Sequence, residues 1–339
     1  MAPFFLLRLP HLPILEVVKH MKTKEIYNFS RCSKKCQQTV RNAAGNHFEL
    51  RLYFWTENEM ILKSKKGKEN KIHFSFENFP VIPWSWTRSD NSVRRFPYKK
   101  YSGLYIKEKE LIKYLVETFN CIIGELRFHC DATRNVFQPL LNFFLQSQLE
   151  FHLVAFDEGI VNDEDFKYLM DNCKMKELDL LCSVAVLSIE DFKIDVFCLR
   201  TLYSDWVTQN HLLKMSFELG YIQINCNMKK WMEIVKAWMN GWNKRMKFAL
   251  FEPTRFDLDL ADQIIENVIP GKRIDKEVMR QYPMISSDLN FTRHSSVLRG
   301  GYDFQRVEDG VLATITQDSG PQKRYVFAVW QYNNDFVRQ

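Results

Sequence analysis

The 339-residue chain lacks the patterns that most directly announce chemistry. No stretch approaches the eighteen or more uninterrupted apolar residues of a membrane-crossing helix, so a soluble protein without membrane partners is expected. The apolar run Phe4-Phe5-Leu6-Leu7 is broken by Arg8, Pro10 and Pro13 before it reaches the length of a secretory signal, and no export is expected. There is no phosphate-cradling GxxxxGK[ST] loop, no GxGxxG fingerprint, no GxSxG nucleophile turn and no HExxH pair. The eight cysteines form no CxxC pair, and most stand in apolar company such as Leu180-Leu181-Cys182. They read as reduced core residues of a cytoplasmic or nuclear protein. Cys32 and Cys36 lie one helical turn apart, but no second pair at zinc spacing follows, so no metal site is expected. No cofactor is implied, and no residue stands out as catalytic.

Net charge is small too. A net +6 over this length is mild and argues against a dedicated nucleic-acid binder. Lys63 to Lys71 (KSKKGKENK) lies between the strand-like runs FELRLYFW and KIHFSF and reads as a solvated hairpin loop. Arg94 to Tyr101 interleaves bases with aromatics, as a single-strand binding surface would, but Pro97 and the lack of a following motif favour a loop rim.

What the chain does have is helical patterning at its start. Ile14, Val17, Val18 and Met21 fall at i, i+3, i+4 and i+7, one apolar face directly after Leu9-Pro10. Thr23 is a candidate N-cap for a second helix carrying Ile26 and Phe29, and Ser33 for a third in which Cys36 and Val40 continue a stripe begun at Cys32. Three helices in about forty residues bury little surface, and with Phe4 to Leu7 ahead of them the segment holds more apolar surface than it can cover alone. That surplus points to a partner.

The leading segment Pro3 to Pro10, then ILEVVKHM, then Ile26 to Lys35 (IYNFSRCSKK) resembles an F-box. The resemblance implies a Skp-type adaptor as partner and, through it, a cullin. Leu9, Pro10, Ile14, Val17, Val18, Met21, Ile26 and Phe29 are then the residues expected to meet or brace the adaptor.

Beyond residue 47 strand and helix signals alternate. A strand-rich connecting segment with basic loops is expected over 47–105, with residues 84 to 103 as a flexible excursion, and a larger domain over 106–339. Ile112, Leu115, Val116 and Phe119 form one helical stripe, and Phe166, Leu169, Met170 and Cys173 another with Asp163 as N-cap. Trp231, Ile234, Val235 and Trp238 form a third, capped by Asn227, and Ala261, Ile264, Ile265 and Val268 a fourth. Between them Leu126-Arg127-Phe128-His129 recurs as Leu149-Glu150-Phe151-His152 and again near Leu178-Asp179-Leu180-Leu181, an interval in the leucine-rich-repeat range that aligns His129 with His152. The expected fold is α/β (α+β overall): a three-helix F-box over 1–46 followed by an irregular leucine-rich-repeat-like strand-helix solenoid.

Trp231 to Glu252 and Gly301 to Trp330 resemble the F-box-associated domain, type two, of the expanded F-box families best known from nematodes. This implies a non-enzymatic substrate-recognition subunit of a Skp-cullin-F-box ubiquitin ligase, whose C-terminal domain binds a protein substrate. The alternative is a stand-alone interaction scaffold in which the N-terminal helices cap the repeat domain.

Overall fold

The structure is a computed structural model and describes residues 11–45, 47–54, 58–65, 71–75, 106–130, 137–147, 150–184, 193–201, 207–224, 228–253, 265–267, 269–282, 297–317 and 325–330. The chain divides into two compact units, Met1–Lys176 and Glu177–Gln339.

The first unit opens with α1 (His11–His20), α2 (Thr23–Ser30) and α3 (Lys34–Ala44). Ser33 caps α3, its Oγ accepting from the Cys36 N–H at 3.1 Å. Thr23 does not cap α2: it is the first helical residue, because the Glu25 carboxylate reaches back to accept from the Lys22 N–H at 2.8 Å and fixes the start one residue earlier.

The helices lead into β1 (Phe48–Phe54), β2 (Asn58–Ser64) and β3 (Lys71–Ser75), an antiparallel meander in which β2 is a strand that the basic-loop reading of Lys63 to Lys71 had not anticipated. Met60 and Leu62 are buried on its inner face, and Lys63 lies within it. Then come α4 (Ile106–Phe119), β4 (Ile122–His129), α5 (Phe137–Gln146), β5 (Phe151–Val161) and α6 (Asp163–Asn172). Strands β1, β4 and β5 run parallel, so β1 of the connecting segment belongs to the same sheet as strands beyond residue 106. Asn162 rather than Asp163 caps α6, its Oδ1 accepting from the Asp165 N–H at 2.7 Å.

Register in this sheet is set by phenylalanine. Phe54, Phe128 and Phe156 are partners in successive strands and stack with 5.6 Å between neighbouring ring centroids. Phe137, Phe144 and Phe166 from α5 and α6 pack onto the row. The sequence pattern aligns Phe128 with Phe151, an interval of 23, but the strands pair Phe128 with Phe156, an interval of 28. His129 accordingly meets Asp157, not His152. Burying the aromatic row on the helical side decides between the alternatives, since a one-residue slip exchanges the faces of a strand.

The second unit begins within β6 (Met175–Val184) and continues through β7 (Ile194–Asp195), β8 (Cys198–Thr201), α7 (Gln209–Leu213), β9 (Met215–Ser216), β10 (Leu219–Ile224), α8 (Met228–Met239) and β11 (Phe248–Pro253). Strands β6, β8, β10 and β11 are parallel, while β7 and β9 form a separate two-stranded ladder. An antiparallel extension follows: β12 (Gly271–Gln281), β13 (Val297–Gln305), β14 (Leu312–Gln317) and β15 (Tyr325–Trp330), with β15 against β11.

The apolar face of α8 buries Trp231 against Phe251 at 4.3 Å and Trp238 against Phe327 and Phe304 at 5.1 and 5.7 Å. Tyr221, Leu250, Tyr282, Leu298, Val326 and Ala328 form a further buried cluster. Asp309-Gly310 makes the expected turn between β13 and β14, Gly310 at φ +67°. Gly301, at φ +112°, lies where a Cβ would come within 2.4 Å of the Ile315 carbonyl oxygen, so no other residue fits without moving the strand. Asn227 and most of the expected fourth helical stripe lie outside the described residues, where Ile265 alone of that stripe is seen, buried.

Candidate functional site

The three N-terminal helices sort their apolar residues into two sets. Ile14 and Val18 of α1, 5% and 1% exposed, turn inward with Ile26, Cys36 and Val40. Val17 remains 41% exposed, and Leu12, in the first turn of α1, 74%. Met21 and Phe29 are half-buried, and Leu9 and Pro10 lie outside the described residues. The stripe that looked like one face is therefore split, with Ile14, Val18 and Ile26 holding the helices together and Val17 facing water. Leu12 is absent from the sequence-based set because it is out of phase with the stripe; its position two residues after Pro10, off the inward face, was the available signal.

The back of this head is docked. The hydroxyls of Ser30 and Tyr114 share a 2.7 Å hydrogen bond, and the Gln37 amide donates to Thr118 Oγ1 at 2.9 Å, joining α2 and α3 to α4. Tyr27 stands edge-on to Phe74 of β3 at 5.2 Å, with the Arg31 guanidinium 5.6 Å above its ring. The exposed apolar residues of α1 take no part in this docking.

A second surface lies on the face of the β1–β4–β5 ladder opposite the phenylalanine row. Glu49, Arg51, Glu125, Arg127 and Asp157 form a chain of alternating charge. Arg51 pairs with Glu49 and lies 3.2 Å from Glu125; Arg127 reaches Glu125 at 2.8 Å and donates to both Asp157 oxygens at 2.7 and 2.9 Å. Tyr53 donates to Glu125 at 3.0 Å, and burial, reinforced by that carboxylate, pushes its phenol well above the ordinary range, so it stays a donor at any physiological pH. His129 sits 3.5 Å from the Glu158 carboxylate. This is an ion-pair ladder that satisfies itself; it aligns no nucleophile with a base.

Among the described residues, no group of three or more His, Cys, Asp or Glu could hold a metal ion. No described helix is long and apolar enough to cross a membrane. The described cysteines are free, all buried except Cys32. Asp165 at the start of α6 takes hydrogen bonds from Asn162 and Gln138, a capping cluster. Arg94 to Tyr101 lies outside the described residues.

Residues 6–46 match the F-box domain family. The chain thus carries an F-box, the kind of domain that typically binds a Skp-type adaptor and in general marks a non-catalytic substrate adaptor of a ubiquitin ligase. No curated protein and no solved structure matches the chain.

Proposed function

We propose that this chain is the substrate-recognition subunit of a Skp-cullin-F-box ubiquitin ligase, with residues 1–46 holding the adaptor and the chain from 106 to 339 binding a protein substrate. The observation that carries the reading is the match of residues 6–46 to the F-box family, with Leu12 and Val17 of α1 left exposed. Exposed large aliphatic residues at 74% and 41% on one short helix are the surface a helical partner buries. In this reading Leu12, Val17, Met21 and Phe29 meet the adaptor together with Leu9 and Pro10, which lie outside the described residues, and Ile14, Val18 and Ile26 brace the helices from within.

The recognition half is an F-box-associated domain of type two with leucine-rich-repeat-like character. Its support is the intervals between paired residues in the parallel strands: 28 from Phe128 to Phe156, 21 from Leu178 to Leu199, 21 from Cys198 to Leu219 and 29 from Leu219 to Phe248. Such strands present loops and edges to macromolecules. The strand-rich segment 47–105 connects the two functions, and the protein works in the cytoplasm or nucleus.

The test is co-expression with a Skp-type adaptor and tandem-tag purification. A one-to-one complex that is lost in a Leu12→Asp, Val17→Asp variant of unchanged thermal stability is the expected result. A complex retained in that variant removes the adaptor face, and no complex with the native chain removes the ligase reading. A second reading is favoured by the Ser30–Tyr114 and Gln37–Thr118 bonds: the same helices act as a cap on α4, with or without an adaptor.

A further inference from the structure

We draw no further inference here: the strongest candidate, the outer edge of the antiparallel extension, where β12 pairs among the described strands with β13 alone and leaves Val278 and Met279 exposed beside Val297, is an unpartnered edge, and nothing in the structure shows what covers it.

Discussion

Phe128 illustrates how much a single side chain decides. It is fully buried, stacked between Phe54 and Phe156 and touched edge-on by Phe137. Phe128→Ala leaves a cavity that flat neighbouring rings fill poorly, and is expected to cost about 3–5 kcal/mol in denaturant unfolding of the first unit. The cysteines give a second residue-scale outcome. Burial pushes the thiols of Cys121 and Cys173 up to about 12, so neither presents a thiolate at pH 8, whereas Cys32 is exposed. Iodoacetamide at pH 8 is therefore expected to label Cys32 first among the described thiols, with Cys121 and Cys173 labelled only on unfolding, as peptide mass mapping reads directly. A third outcome concerns acid. The Arg306 guanidinium, which donates to Asp309 and covers the Trp238 ring at 5.0 Å, holds the Asp309 carboxyl below the ordinary carboxylate value. A depressed carboxylate contributes stability that is fully present above its unfolded value near 4 and is lost as the pH falls through its lower folded value. Asp309→Asn is thus expected to lower the thermal midpoint at pH 7 and to leave a smaller acid-dependent loss below pH 4 than the native chain shows.

At the scale of elements, the helices were the legible part. Their periodicity survives in the sequence because each buries one stripe, and the stripes of α1, α4, α6 and α8 bring Ile14, Leu115, Leu169 and Trp231 into the cores. Caps were legible to within one residue, since Asn162, Glu25 and their neighbours compete for the same free N–H groups. Strand pairing was not: the interval of 23 matched local composition, whereas register depends on which aromatic of one strand faces which of the next, a long-range choice. The burial of the α1 stripe was half legible for a related reason. Periodicity reports which residues share a side of α1, but the inward side is fixed by α3, which a single helix does not encode. The two sets of α1 separate experimentally. Ile14→Asp places an unpaired charge in the interior and is expected to unfold the helical head, a loss of several kcal/mol visible in thermal unfolding. Val17→Asp sits in water and is expected to leave the midpoint unchanged while weakening adaptor binding tenfold or more, about 1.4 kcal/mol, in a pull-down titration. If both substitutions behave alike, the division of the stripe is wrong.

For the molecule as a whole, the docking of the F-box bears on how it would serve the proposed ligase. A head hung on a flexible tether would let the adaptor wander relative to whatever the rest of the chain binds. Here Ser30 and Gln37 bond to Tyr114 and Thr118 of α4, and Tyr27 packs on Phe74, so within the first unit the F-box helices have one orientation. The same bonds mean that the head also shields its neighbours. Thr118 is fully buried, and Phe119 of α4 packs edge-on to Phe48 immediately after the head. Removing residues 1–46 uncovers this side of α4 and strips Thr118 and Tyr114 of their partners. The expected outcome is a remainder, residues 47–339, that unfolds at a lower temperature than the full chain and elutes partly as aggregate in size-exclusion chromatography with light scattering. A truncated chain that stays monomeric with an unchanged midpoint would mean that the head contributes no cover, and that the fixed orientation of the F-box helices rests on the two hydrogen bonds and one aromatic contact alone.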